Sequence, residues 1–377
     1  MPQSCGLSMT FTMTTAVIKQ YIYCFITIFM RYTYLLLVLF IGLLPASSCN
    51  GIAGSKSDND TTLKTKEKES YFPKVMPVDS LKHTVFVPSL NNELPARGNV
   101  IYTPAFLLAW DTVQGVLGGP FTLQGADKML QEVAATTGFK SALARDEYDI
   151  KVERSRTDIK ITSLFNKSLP FASDMDTIRS HNRPFLFSGC EVKAFGMEGY
   201  NPLVAEQMRL LYYVDDDHFI LCITPKDSTQ ELILAKGTTT GQTMADVLKE
   251  TDRLIGEGMQ QEKSDDPRYK IRQGDRVMIP ALAFNLKKKY NNFEGATLHL
   301  KDDIWRIDEA TQRTAFVLNE HGAAVEGEDT ITMTLSIPDH PKLLSFDKPF
   351  VVMLRKKGVE QPYVMMRIDN AELMVKR

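Results

Sequence analysis

The stretch from Thr314 to Phe350 constrains the fold more than any other part of the chain. It opens as an apolar strand, Ala315-Phe316-Val317-Leu318, passes Asn319-Glu320-His321-Gly322, and closes in a second strand that begins at Phe346 and runs through Val351, Val352, Met353 and Leu354. Glycine at 322 supplies a bend that other residues resist. Between the strands every second residue, Ala323, Val325, Gly327, Asp329, Ile331, Met333 and Leu335, is mostly small or apolar, and the alternate set is mostly polar. A period of two marks a strand with one face toward a core. On the pattern alone, an edge strand or the arm of a long hairpin accounts for it.

Composition excludes several classes of function. The 377 residues are 44% hydrophobic, enough for one large core or two modest ones, and the net charge of −2 leaves no basic footprint for nucleic acid. Cysteines at 5, 24, 49, 190 and 222 have the spacing of neither a zinc site nor a disulfide framework. Cys190 and Cys222 lie in apolar strands and read as inert core thiols. The six histidines are scattered, and no Gly-x-Ser-x-Gly elbow, His-Glu-x-x-His pair or phosphate loop occurs. An enzyme is therefore not expected, and neither is a cofactor. Asp215-Asp216-Asp217-His218 invites a metal reading, but a hairpin tip calls for the same solvated residues, so no metal is expected. Lys287-Lys288-Lys289 reads either as a solvated strand end or as a site for an acidic polymer.

The N-terminus reads as a leader, residues 1–49. Met30-Arg31 precedes an apolar run from Tyr34 to Leu44 and the small residues Ala46-Ser47-Ser48 before Cys49. The pattern resembles a bacterial lipobox with Cys49 as the lipidated residue and Met30 as the start, although no leucine sits three residues before the cysteine. An uncleaved anchor over Tyr21 to Leu44 is the competing reading, interrupted by Arg31. In both readings the domain is exported to the cell envelope. Residues 50–70 are polar and read as a disordered tether; the folded domain is expected over 71–377.

Within that domain, Asn99 to Tyr102 reads as a strand and Ala105 to Trp110 as a helix, with Thr103 capping it and Pro104 in the first turn. A second helix is expected over Asp127 to Ala135 and a third over Thr243 to Leu254. Tyr148 to Leu164 alternates as two strands about a turn near Ser155. Phe185 to Phe195 reads as a strand pair, Met208 to Ile223 as a hairpin, and Arg276 to Leu286 as one strand.

Phe316 to Ala323 resembles the hinge of the serpins, Phe346 to Val351 the serpin strand after the exposed reactive loop, and Pro362 to Asn370 the family's C-terminal strand. Asn99 to Pro104 is similar to the element before the family's buried helix, with Thr103 in place of serine. Phe165 to Phe171 is similar to the segment after the central strand, without its usual tryptophan. The resemblance implies an α+β fold of mixed sheets with packed helices and an exposed loop. The stretch from Asn99 to Phe165 is much shorter than the family's, so part of the main-sheet edge and its covering helix are expected to be missing.

The resemblance further implies a protease inhibitor whose loop, about 323–339, is cleaved and inserts into the main sheet. The alternative is a non-inhibitory serpin-like scaffold or binding protein. Hinge positions would be Glu320, Gly322, Ala323, Ala324 and Val325. The scissile bond would fall near Leu335, Ser336, Ile337 and Pro338, where no Arg or Lys stands. The partner would then be a serine or cysteine protease with an apolar pocket, and the lipid at Cys49 would bind membrane. Asp329 falls on the inward side of the ribbon, where an unpaired carboxylate costs several kcal/mol.

Overall fold

Period-two patterning dominates this chain, and strands dominate the result. The computed structural model describes residues 72–137, 148–165, 169–178, 184–262, 266–323 and 341–377, all within one compact unit, Thr61–Arg377. The fold is α+β with mixed sheets. Strands are numbered in chain order.

The main sheet is built around β18 (Asp303–Leu318), a 16-residue strand. Along one edge it pairs in parallel with β6 (Asp158–Phe165), from Arg306 opposite Asp158 to Thr314 opposite Phe165, with one irregularity between Ile307 and Glu309. β6 folds back on β5 (Tyr148–Ser155) through a tight turn in which Arg156 has φ +51°, as the sequence predicts near Ser155. On its other edge β18 pairs antiparallel with β16 (Leu282–Lys289) by its C-terminal half and with β17 (Thr297–Leu300) by its start. β17 in turn carries β4 (Thr122–Gln124), and β1 (Met76–Pro77) covers the edge of β16.

The two faces of this sheet differ as the alternation dictates. Ile159, Ile161, Phe165, Ile307 and Ala310 are buried on the inner face, where α1 (Ala105–Leu117) packs against β5 and β6. The outer face near β5 and β6 is polar and laced with ion pairs: Lys160–Glu309 at 2.6 Å, Arg306–Asp158 at 2.9 Å and Lys151–Glu153 at 2.7 Å. A sheet face of this chemistry stays hydrated, so no helix is required to cover it. Charges on β5 also protect its open edge against pairing with other chains.

A second sheet runs β12 (Met208–Asp215), β13 (His218–Ile223), β14 (Gln230–Lys236), β21 (Phe350–Lys356), β22 (Val364–Ile368), β3 (Asn99–Tyr102) and β2 (Thr84–Val87). The inner strands are continuous apolar runs because both of their faces are buried. The helix α4 (Met244–Glu262) packs on β12, beyond the short α2 (Lys128–Ala135) and α3 (Pro202–Glu206) in chain order. A third sheet has the order β20 (Leu343–Ser345), β15 (Arg276–Pro280), β11 (Ala194–Met197), β8 (Asp176–Thr177). Two small pairs complete the set: β9 (Leu186–Phe187) with β10 (Cys190–Glu191), and β7 (Leu169–Pro170) with β19 (Gly322–Ala323).

Several expectations need correction. Arg276 to Leu286 is not one strand but β15 and β16, which lie in different sheets. The reason is a phase slip: Val277 and Ile279 are buried, and after Pro280 the buried set moves to Leu282, Phe284 and Leu286. Phe185 to Phe195 likewise divides between the β9–β10 hairpin and β11. Thr103 does not cap α1; its hydroxyl accepts a hydrogen bond from Gln312 at 2.8 Å, and Pro104 takes the cap position. The helix expected to end at Leu254 continues to Glu262. Cys190 is exposed rather than buried, whereas Cys222 is buried and its thiol is pushed up to about 12 by loss of solvation.

α4 sits so close to β12 that a Cβ on Gly258 would fall 1.7 Å from the Leu211 carbonyl oxygen, while one on Gly256 would meet open space. Gly→Ala in a helix interior gains about 1 kcal/mol. The two substitutions should therefore have opposite signs in chemical denaturation. Gly256→Ala should stabilise by about 0.5–1 kcal/mol, and Gly258→Ala should destabilise by about 1–3 kcal/mol.

Candidate functional site

Residues 324–340 connect β19 to the segment before β20, and both flanks of that connection are anchored. On the N-terminal side the chain leaves β18 and reverses in a two-residue turn. The Asn319 N–H donates to the Gly322 carbonyl at 3.1 Å and the Gly322 N–H to the Asn319 carbonyl at 3.0 Å. Gly322 has φ +111°, and a Cβ there would lie 2.5 Å from the Leu169 carbonyl oxygen and 2.6 Å from the Phe171 nitrogen. Both backbone angle and space demand glycine.

The turn is held against the segment after β6. Phe171 N–H donates to the His321 carbonyl at 3.0 Å and Met175 N–H to the Glu320 carbonyl at 2.9 Å. His321 Nδ1 lies 2.8 Å from Asp174 Oδ2, and its Nε2 is 3.8 Å from Glu320 Oε1. The Thr177 hydroxyl donates to Glu320 at 3.3 Å.

On the C-terminal side the anchor is ionic. Lys342 Nζ is 3.0 Å from Asp275 Oδ2, with both side chains at least nine-tenths buried, and the Lys342 N–H donates to Asp275 Oδ1 at 2.8 Å. Lys236, which ends β14, has a side chain only 4% exposed. Its ammonium reaches Asp217 Oδ1 at 2.9 Å, Asp347 Oδ1 at 2.7 Å and the Ser345 carbonyl at 2.8 Å. Asp216 accepts from the Leu343 N–H and the Tyr213 hydroxyl. Asp216 and Asp217 of the β12–β13 tip thus clasp the strand that follows the connection, Asp216 directly and Asp217 through Lys236 and Lys348. His218 contacts Asp215 at 2.9 Å within the turn itself. Of the three lysines closing β16, Lys288 pairs with Asp79 and Lys289 with Glu294, which leaves them a solvated strand end in character.

Beneath the seam between β6 and β18 lies a buried polar cluster. Gln312 donates to Thr103, and the Tyr290 hydroxyl donates to Gln312 Oε1 at 2.8 Å. Burial pushes the Tyr290 phenol well above its ordinary range. Gln312 stands opposite Ser163 across the seam, but its bonds run to Thr103 and Tyr290 rather than to β6. The side-chain links that cross the seam are Thr311 to Thr162 at 3.4 Å and the ion pairs Lys160–Glu309 and Arg306–Asp158.

Of the expected hinge residues, Glu320 and Gly322 occupy the turn and Ala323 pairs with Leu169 through its backbone. Ala324, Val325, Leu335, Ser336, Ile337, Pro338 and Cys49 lie outside the described residues. Sequence reading missed Asp174, Asp275, Lys342 and Lys236 as partners of the two flanks. The one visible signal was Lys236, a charge closing an otherwise apolar strand. No helix among the described residues is long and apolar enough to cross a membrane.

No family model and no curated protein matches the chain. Among solved structures it is similar to a serpin from the trematode Schistosoma haematobium, with 14% identity, TM-score 0.36 and 58% of each chain covered. It is also similar to thyroxine-binding globulin in complex with thyroxine (12%, 0.34, 56% of each chain). A third is the thermophilic serpin tengpin in its native state (11%, 0.33, 56% of this chain and 55% of that one). The match thus spans less than two thirds of each neighbour.

The ion pairs of Asp217 make a pH prediction. Lys348 and then Lys236 hold its carboxyl down at about 2. A depressed carboxyl contributes stability that is present above its unfolded value near 3.8 and lost as pH falls toward about 2. Acid unfolding followed by tryptophan fluorescence should show that loss in the native chain, and Asp217→Asn should flatten the curve across that window.

Proposed function

We propose that the domain is a serpin-like protease inhibitor, non-enzymatic itself, in which cleavage of the loop at about 323–339 is followed by insertion of its N-terminal part between β6 and β18. The observation that carries this reading is the direction of the chain at Gly322. β6 and β18 run parallel, and the turn at Asn319–Gly322 sends the following residues back antiparallel to β18. A ribbon continuing that way along the seam would be antiparallel to both neighbours. One parallel ladder would be exchanged for two antiparallel ones, and parallel pairing is the weaker per residue. Such strand addition supplies main-chain hydrogen bonds regardless of side chain, while the period of two in Ala323 to Leu335 turns its apolar set inward.

The partner in this reading is a serine or cysteine protease with an apolar specificity pocket, because the residues from Leu335 to Asp339 include no Arg or Lys. The target provides the chemistry and the domain provides the conformational energy. Cleavage directly after Ile337 is disfavoured by Pro338. The leader pattern supports export and a lipid anchor at Cys49 in the bacterial envelope.

One observation favours the alternative of a non-inhibitory scaffold. Asp329 falls on the inward side of the ribbon, and an unpaired carboxylate there opposes insertion by several kcal/mol. Incubation with elastase-type and subtilisin-type proteases separates the two. Inhibition gives a covalent complex that survives denaturant, with the nicked domain melting at higher temperature than the intact one. Plain cleavage with an unchanged or lower melting temperature supports the scaffold.

A further inference from the structure

His321 sits within ion-pair reach of two carboxylates on different segments, at the point where the hinge would have to let go. Asp174 follows β7, and Glu320 is in the turn itself. All three side chains are about one quarter exposed (26% for His321, 23% for Asp174, 29% for Glu320), shielded enough for their charges to matter and open enough to exchange protons with solvent. From these contacts we propose that His321, Asp174 and Glu320 form a proton-dependent latch on the hinge. It is tightest when the imidazole is charged and loosens when the imidazole becomes neutral.

The latch works through the backbone bonds that pin the turn. For residues 319–323 to turn into the main sheet, the Phe171 and Met175 amides must release the His321 and Glu320 carbonyls, and β19 must leave β7. The His321–Asp174 contact spans that same boundary. An imidazolium there makes a charge-assisted bond to Asp174 and is attracted to Glu320; a neutral ring keeps at most the single hydrogen bond. Charged groups on the neighbouring segments include Asp176 in β8, Arg313 in β18 and Lys226, whose N–H donates to the Pro170 carbonyl. Among the described residues, His321 forms ion pairs with Asp174 and Glu320 and with no others. Loss of the imidazole proton therefore removes the charge that holds the turn. Strong acid, which neutralises the carboxylates, removes its partners.

The inference rests on residues 319–323 acting as an insertion hinge, but its test reads opening in the uncleaved protein and needs no protease. Amide exchange is measured in the native chain, in His321→Gln, which keeps a donor and loses the charge, and in Asp174→Asn. At each pH the variant's rate is divided by that of the native chain, which cancels the intrinsic pH dependence of exchange. At about pH 5.5 the Phe171 and Met175 amides should exchange on the order of tenfold faster in either variant. At about pH 8.5 the ratio should fall below about threefold. A ratio that is the same at both pH values, or a rise matched at the Ile233 amide in the second sheet, would overturn the latch. Absence of a covalent complex with proteases would sink the inhibitor reading and leave this result untouched.

Discussion

The rest of the structure depends on the parallel seam between β6 and β18. β18 is paired along both edges, and on one of them its partner runs in the same direction without a crossover helix between the two strands in space. Behind the join, Gln312 of β18 is wholly buried and satisfied by Thr103 and Tyr290. A buried amide left without partners would cost about 1–3 kcal/mol. The polar cluster therefore favours one placement of β18 against Thr103, at the start of α1, and Tyr290. Ser163 stands opposite Gln312 across the seam, and its hydroxyl has no partner among the described residues. Satisfaction of the cluster is thus lopsided, firm on the β18 side and looser on the β6 side.

The two flanks of residues 324–340 are held by different physics. The N-terminal flank rests on backbone bonds, a glycine in a close contact and a partly exposed histidine–carboxylate group. The C-terminal flank rests on buried lysines paired with aspartates, and removing one partner of such a pair leaves a buried charge and costs about 3–5 kcal/mol. Release is therefore easier at the N-terminal flank. That asymmetry is what an insertion mechanism needs, since the flank that enters a sheet must come free while the other stays attached to the body.

The outer face of the main sheet near β5 and β6 meets water through its chemistry. Lys160, Glu309, Arg306 and Asp158 form cross-strand pairs on that face, each worth at most about 1 kcal/mol at a solvated surface. Their larger effect is to make burial unnecessary, because a face of paired charges and threonines loses little by meeting water.

The sequence by itself determined the strands and their inward faces. Alternation over Tyr148 to Leu164 marks β5 and β6, unbroken apolar runs mark the interior strands of the second sheet, and Gly322 marks the place where the chain must bend. These features rest on local periods and local backbone angles, which any short window reveals. Only the tertiary structure decided which strand joins which sheet and which charges meet. The division of Arg276 to Leu286 between two sheets follows from a single-residue phase slip at Pro280, legible in retrospect but outweighed by the continuity of the apolar run. Asp174 with His321 and Asp275 with Lys342 are far apart along the chain, and no local period links such partners. Hydrogen bonds and ion pairs act over a few ångströms of space, so their identity waits until the sheets have brought distant segments together.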